Sequence, residues 1–210
     1  DQNWVGNAYN EIWGIAQNGH EFAIIGSTQD DAAGECFDKC AKLLGLGYPG
    51  GPIMDRLATQ GNPEAYTFAR PMLNQDNHDF SFSGLKTSVL YFLEKHPGLS
   101  EDDLALPDLC ASIQAAIVEV LVKKTIRAAR RQRLGCITLS GGVACNTGLR
   151  KAFKQACEKN ELNLQVAPSN LCTDNAAMVG LLGERYLQKE IPTTDWQADI
   201  RPSWRLIEPA

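Results

Sequence analysis

Several features that would assign a function directly are missing from this sequence of 210 residues. It has no run of about 18 apolar residues, so we expect no membrane span, and no signal peptide is visible at its start. HExxH zinc motifs, P-loops and recognisable nucleophile triads are also absent. The formal net charge is −5, so the surface as a whole does not indicate nucleic-acid binding.

Cysteines are present, but their pattern excludes two common uses. The seven cysteines are odd in number and form no CxxC pair, and most lie within apolar patterns. We therefore expect neither a disulfide framework nor a Cys₄ zinc site. Reduced, buried thiols are typical of a cytoplasmic protein. The apolar fraction of 44% is enough for a sizeable core.

The most informative segment joins a short apolar strand at residues 137–139 to a helical pattern that opens near Thr147. Gly141 and Gly142 lie between them. Glycine lets the backbone approach a ligand closely, and a helix start offers unpaired N–H groups to a phosphate. Asn146 adds an amide at the same corner. A tight turn without a ligand explains the glycines equally well.

A second helical pattern follows residue 31 and ends near Gly45. Asp31, Glu35 and Asp38 are spaced so that they share one face of it. The simpler interpretation is a solvated acidic face near a helix start. The functional interpretation is a set of acceptors for hydroxyl groups. The predicted buried face consists of Ala33, Phe37, Cys40, Leu43 and Leu44.

The run of glycines and prolines at residues 45–52 predicts another glycine turn. Gly50 and Gly51 precede Pro52, and the spacing of Ile53 and Leu57 is helical. We predict a helix with Pro52 at its first position.

Residues 80–87 alternate aromatic and hydroxyl side chains before a helix begins. Ser83, Gly84 and Lys86 are suited to hold an anion there. The alternative is a short strand followed by a helix cap, with Lys86 in solvent.

Two strand-like runs, residues 12–16 and 21–25, flank Asn18-Gly19 and predict a β-hairpin near the start. A long helix is predicted from about Asp108 to Arg133. Its basic end suits either the helix dipole or a nucleic acid. The cations concerned are Lys123, Lys124, Arg127, Arg130, Arg131 and Arg133. The predicted core face of this helix is Leu109, Ile113, Ile117, Val120, Leu121 and Ile126.

A strand at residues 164–168 precedes the last predicted helix. Thr173 or Asp174 is a natural N-cap for that helix. The tail beyond about residue 190 is expected to be extended. Taken together, the patterns predict an α/β fold whose glycine turns converge on one phosphorylated ligand.

Five segments, in this order, resemble the tRNA N6-adenosine threonylcarbamoyltransferase (TsaD) family, formerly called glycoproteases: residues 30–39, 45–52, 80–87, 140–146 and 172–175. The resemblance runs from about residue 10 to the end. It implies an actin-like ATPase fold of the sugar kinase, Hsp70 and RNase H-like type, mainly the C-terminal lobe with a helical insertion. It also implies a division into a hairpin remnant of the N-terminal lobe (1–26), a helical region (27–135) and an α/β region (136–210).

The resemblance implies transfer of a threonylcarbamoyl group from threonylcarbamoyl-AMP to N6 of adenosine 37 in tRNAs that read ANN codons (t6A modification). Asp38, Gly51 and Asn146 match family positions that bind the nucleotide-linked substrate. Asp174 matches a ligand of one catalytic metal, Fe²⁺ or Zn²⁺. Candidate phosphate or nucleotide loops are those of Gly141, Gly142, Ser83 and Lys86.

The sequence also departs from the family pattern. The other metal ligands of the family come from a His-x-x-x-His pair in an N-terminal lobe, and the histidines present, His20, His78 and His96, lack that spacing. The family's Ser-Gly-Gly-His-Thr turn is replaced near residues 7–9 by Asn-Ala-Tyr. We therefore expect a C-terminal fragment or a naturally truncated protein. Expected partners are tRNA, TsaB-like and TsaE-like subunits, and a second copy of the chain. The alternative function is a catalytically incomplete or non-catalytic scaffold.

Overall fold

The computed structural model describes residues 14–17 and 21–189. These divide into two compact units, with the boundary between Thr173 and Asp174. The first unit contains β1 (Gly14–Gln17), β2 (Glu21–Ile24), α1 (Ala33–Leu43), α2 (Gly50–Ala58), α3 (Ser83–Lys95), α4 (Ala105–Arg131), β3 (Cys136–Leu139), α5 (Thr147–Lys159) and β4 (Asn163–Val166). Short 3₁₀ turns lie at Leu99–Glu101, Gly142–Cys145 and Ser169–Leu171. The second unit contains α6 (Ala176–Gln188).

The predicted hairpin strands are confirmed. β1 and β2 pair antiparallel, with Gly14 opposite Ile24 and Gln17 opposite Glu21. The Asn18-Gly19 turn, the altered segment at residues 7–9 and the tail beyond residue 189 lie outside the described residues.

β3, α5 and β4 form a parallel β–α–β unit, which confirms the predicted α/β class. Cys136 lies opposite Asn163, and Leu139 lies opposite Val166. Parallel neighbours require a crossover connection, and α5 provides it. The buried residues of α5 are Leu149, Phe153 and Cys157.

α4 is the central helix of the first unit, and α2 and α5 both pack on it. It has 27 residues and begins at Ala105, slightly before the predicted start at Asp108. By length and composition alone it could cross a membrane, but 67% of its most apolar window is buried inside the protein. A core helix that is covered on most sides needs this composition. Every residue of its predicted core face is buried.

The basic end of α4 partly serves to hold the irregular segment at residues 61–79. Lys124 is only 1% exposed. Its ammonium group donates hydrogen bonds of 3.0 Å to the backbone oxygen of Met72 and 3.0 Å to Oδ1 of Asn77. Burial lowers the pKa of Lys124. This lysine therefore stabilises the fold and is not available to a nucleic acid.

Two neighbouring arginines act in the same way. Arg127 donates to the backbone oxygen of Leu73 at 2.9 Å, and Arg131 forms an ion pair with Asp76. The cluster that the sequence offered for nucleic-acid binding is thus partly structural, and Arg130 remains exposed beside it.

α3 receives its N-terminal cap from a distant residue. Oδ1 of Asp30 accepts the backbone N–H groups of Phe82 (2.7 Å) and Ser83 (3.1 Å). Its Oδ2 accepts the hydroxyls of Ser81 and Ser83, each at 2.6 Å. Burial alone would raise the pKa of Asp30. The four hydrogen bonds together outweigh this effect and lower the pKa to about 2. The carboxylate is therefore ionised at neutral pH and fixes the start of α3.

We expect Asp30→Ala to lower the free energy of unfolding by about 1–2 kcal/mol at neutral pH, because the helix start and two hydroxyls lose their acceptor. Urea unfolding followed by circular dichroism measures this. The folded-state pKa of about 2 lies below the ordinary 3.8. The stabilisation is therefore fully present above the ordinary pKa and is lost as the pH falls through about 2, so the deficit of the variant should shrink there.

Asp103→Ala is the control, since Asp103 is exposed and accepts no hydrogen bond among the described residues. Equal stability of Asp30→Ala and the unmodified chain at neutral pH would contradict the capping role.

Candidate functional site

The turn after β3 presents backbone N–H groups that the protein itself does not use. Within the described residues, the N–H groups of Gly141, Gly142 and Val143 meet no acceptor. A Cβ added at either glycine would meet nothing within 4 Å, so the space above the turn is open. Gly141 has φ 89° and ψ 167°. Successive N–H groups at such a turn form a concave site suited to an anion.

A short 3₁₀ turn, Gly142–Cys145, separates this turn from α5. The sequence predicted a helix that opens near Thr147 after the glycines, and α5 begins at Thr147. The extra turn adds N–H groups at the end of β3, because the first donors of any helical turn lack internal partners.

Asn146, expected at this corner as a substrate-binding residue, is 8% exposed. Its Oδ1 accepts the N–H of Leu149 at 2.8 Å, so it is the N-cap of α5. Its Nδ2 donates to Oε1 of Gln114 on α4 at 2.7 Å. Both ends of the amide are thus engaged in holding α5 against α4.

Asp55 on α2 is a second cap of α5, and sequence reasoning missed it. Its carboxylate accepts the N–H and the hydroxyl of Thr147, each at 2.9 Å. The two residues are 92 positions apart, so no local pattern could have indicated the contact. α2 is fixed to the corner where the glycine turn meets α5.

Arg150 is another residue that sequence reasoning missed. It donates to the backbone oxygen of Ala144 in the 3₁₀ turn and, at 3.0 Å, to that of Ala167 beyond β4. The guanidinium therefore joins the glycine turn to the end of β4, which restricts how far the turn can move.

Asp38 and Gly51, which the resemblance pairs as substrate-binding residues, lie together. Oδ1 of Asp38 accepts the N–H of Gly50 at 2.7 Å and that of Gly51 at 3.2 Å. The purely solvated acidic face that the sequence favoured is therefore wrong for Asp38. Within the described residues its Oδ2 accepts no hydrogen bond. The predicted start of α2 at Pro52 is also wrong, since α2 begins at Gly50.

The other two acids of that predicted face are neutralised. Lys39 contacts Asp31 at 2.5 Å and Glu35 at 2.8 Å. The hydrogen bond to Asp31 and then that to Glu35 raise the pKa of Lys39. Asp31 and Glu35 are thus paired with a lysine, whereas Asp38 forms no ion pair within the described residues.

The Asp38 cluster and the glycine turn are neighbours. An added Cβ at Gly34 on α1 would lie 3.3 Å from Cγ2 of Val143, so α1 packs against the turn. Asp38 follows Gly34 by four residues and therefore lies on the same face of α1, one helical turn away. The structure thus brings Asp38, Gly51 and the glycine turn to one region.

The helix start at Ser83 differs from the glycine turn. The N–H and the hydroxyl of Ser83 both go to Asp30. The position that an external anion would take is thus held by a carboxylate of the protein. This disfavours Ser83 as part of a nucleotide loop, and Lys86 is half-buried on the following turn.

Asp174, the residue expected to bind a metal, is exposed and belongs to the second unit. The N-cap of α6 is Asn175, whose Oδ1 accepts the N–H of Met178 at 3.2 Å. The predicted cap at Thr173 or Asp174 is therefore wrong. Across residues 14–17 and 21–189, no group of three or more His, Cys, Asp or Glu side chains could hold a metal. A single carboxylate does not fit a complete metal centre.

The thiols are free, as the sequence predicted for all seven cysteines. The Sγ atoms of Cys36 and Cys40 lie 4.0 Å apart in the core. A hydrogen bond with Cys40 and burial raise the pKa of Cys36, so it is a packing residue and not a nucleophile.

Comparison with known proteins identifies relatives over most of the chain. The family model described as TsaD, tRNA N6-adenosine threonylcarbamoyltransferase, matches residues 11–181. A curated protein of that name from Syntrophotalea carbinolica is 50% identical over 185 residues, which are 88% of this chain and 54% of the relative. The one from Thermosipho africanus is 44% identical over 187 residues, which are 89% of this chain and 56% of the relative. The chain spans about half the length of the curated relatives it matches.

A solved structure, HypF from T. kodakarensis, resembles this chain in fold. Its TM-score is 0.54 at 23% sequence identity, and the match covers 81% of this chain and 21% of that one.

The two adjacent glycines should respond differently to alanine. We expect Gly141→Ala to lower the free energy of unfolding by about 1–3 kcal/mol, because φ 89° with ψ 167° is a conformation essentially restricted to glycine. Gly142→Ala should change it by less than about 0.5 kcal/mol, since the added methyl group meets only open space. Urea unfolding of both variants is the measurement. A similar loss in the two variants would show that Gly141 carries no special backbone constraint.

Proposed function

The chain belongs to the TsaD family of tRNA N6-adenosine threonylcarbamoyltransferases, and from this premise we propose that it carries the nucleotide-binding part of such an enzyme. The reaction is transfer of a threonylcarbamoyl group from threonylcarbamoyl-AMP to N6 of adenosine 37 in tRNAs that read ANN codons. The observation that carries the proposal is the open turn at Gly141 and Gly142, where N–H groups without internal acceptors suit the phosphate of the adenylate.

The binding roles follow from the geometry around that turn. The N–H groups of Gly141, Gly142 and Val143 would hold the phosphate. The free Oδ2 of Asp38 would accept a ribose hydroxyl, while its Oδ1 keeps Gly51 in place. Asn146 would support this site through the cap of α5 and its bond to Gln114.

The same N–H groups would assist the transfer step. The N6 amine of adenosine would attack the carbamoyl carbon, the bond from that carbon to the phosphate oxygen would break, and one N6 proton would pass to solvent. Negative charge then develops on the departing AMP. Backbone donors that are already aimed at the phosphate stabilise this charge without reorganisation.

The role of Asp174 stays a prediction. Its carboxylate is a hard oxygen ligand of the kind that some metals accept. Because the described residues do not complete a metal centre, we assign no step of the reaction to a metal.

We further propose an actin-like ATPase fold for the whole protein, which the β3–turn–α5–β4 unit supports because its phosphate turn lies at the carboxyl end of a parallel strand. TsaB-like and TsaE-like subunits, a second copy of the chain and a cytoplasmic location belong to the same proposal. The second candidate function is a scaffold that binds nucleotide and partner subunits without catalysis.

We expect the 210-residue chain to bind ATP and a non-hydrolysable threonylcarbamoyl-AMP analogue saturably in isothermal titration calorimetry, with and without a divalent metal. Gly142→Ala should weaken both at least about tenfold, because a methyl group enters the space where the phosphate approaches the backbone. The stability of the Gly142→Ala variant should be unchanged. Asn146→Ala is less informative, since it also removes a helix cap.

Equal affinity of Gly142→Ala and the unmodified chain would contradict the phosphate role of the turn. A second assay separates the two candidate functions. The chain is incubated with threonylcarbamoyl-AMP and an unmodified tRNA transcript, and the nucleosides are analysed by mass spectrometry. Formation of t6A supports the transferase, whereas nucleotide binding without t6A supports the scaffold.

A further inference from the structure

A groove of about 420 Å³ lies between the second half of α4 and the end of α5. Val122, Ile126 and Ala156 form its apolar floor. No carboxylate lines it, although the protein carries a net charge of −5. Five cations line it instead: Lys123, Arg127, Arg130, Arg131 and Lys159. The groove is therefore a local concentration of positive charge on an acidic protein.

Helix dipoles explain only part of this charge. Cations favour the C-terminal end of a helix, but the effect fades beyond the last turn. α4 ends at Arg131 and α5 ends at Lys159, so Arg130, Arg131 and Lys159 fit that explanation. Lys123 and Arg127 lie one to two turns before the end of α4 and do not.

Internal partners neutralise only part of the positive charge of the groove. Lys123 pairs with Glu119 at 2.5 Å, and Arg131 pairs with Asp76. Arg127 donates one hydrogen bond to Leu73, and its buried Nε finds no acceptor in the described part of the chain. The two remaining cations have no ion pair there: Arg130 and Lys159. Both are exposed, so an external anion can reach them.

We propose that this groove binds the phosphate backbone of RNA. Arginine offers planar, paired donors that match phosphate oxygens, and the aliphatic stems of the long cations can lie along the apolar floor. The inference rests on the proposed function in one respect, because it takes the RNA to be the tRNA substrate.

The position of the groove fits a contact away from the reacting end of the tRNA. The glycine turn lies before the first residue of α5, whereas Lys159 is the last residue of this helix of 13 residues. At 1.5 Å per residue, the two ends of α5 are about 20 Å apart. A backbone held in the groove would therefore not compete with a nucleotide at the turn.

The test is tRNA binding by the 210-residue chain, measured by fluorescence anisotropy with a labelled transcript at several salt concentrations. The variant is Arg130→Glu with Lys159→Glu, which breaks no ion pair within the described residues. We expect its affinity to fall at least about tenfold at about 100 mM salt. The slope of log K against log salt should become shallower by about 1 to 2, as expected for lost phosphate contacts.

The matched control is Lys42→Glu with Lys95→Glu, which makes the same change in net charge at exposed positions off the groove. It should bind tRNA within about twofold of the unmodified chain. Arg130→Lys with Lys159→Arg keeps the charge and should also retain binding. Circular dichroism of all variants excludes a loss of fold.

Two outcomes would overturn the proposal: no saturable tRNA binding by the unmodified chain, or binding by the charge-reversed variant that equals the control. If the charge-reversed variant still binds tRNA but no longer binds poly-glutamate, the groove is a contact for acidic protein and the proposal is also wrong. Calorimetry with ATP on the same proteins tests the nucleotide turn separately. A failure there concerns the proposed function and not the groove.

Discussion

Helix starts need acceptors for their N–H groups, and in this protein carboxylates from other elements supply many of them. Asp30 accepts N–H groups at the start of α3, and Asp38 does so at the start of α2. At α5, both Asp55 and the local cap Asn146 accept them. Each of these bonds joins two elements and so fixes the position of one relative to the other. The turn after β3 is the contrasting case, because its N–H groups receive no acceptor from the described residues. A turn whose N–H groups lack acceptors, in a protein whose helix starts have them, is where we expect a ligand to bind.

Periodicity was sufficient to predict most of the regular structure. The core face of α4, the helix that opens near Thr147 and the strands on either side of it all follow from apolar spacing, since burial is what that spacing reflects. The exact ends of helices were less predictable. Pro52 was expected to open α2, but the helix begins two residues earlier, where the N–H of Gly50 donates to the carboxylate of Asp38. At α6, Asn175 took the capping role expected of its neighbours.

The site was harder to predict than the fold, because its key contacts join residues that are far apart in sequence. Nothing local distinguishes Ser83, whose helix start is filled by Asp30, from Gly142, whose turn stays open. Asp55 and Arg150 carry no motif at all. The basic end of α4 shows the same limit. Its sequence suggests one patch, but the structure divides it between Lys124, which is buried in the core, and cations such as Arg130, which face the groove.

The conformation of Gly141 also limits how the gene can vary. Glycine codons share their first and second bases, so any change at either base replaces the residue, and the φ of 89° strains whatever side chain results. Drift at this codon is therefore confined to its third base. Gly142 adopts no such φ, and folding alone leaves its codon freer. The two adjacent glycines are therefore constrained for different reasons: Gly141 by the chain's own backbone geometry, and Gly142 only by whatever the turn binds.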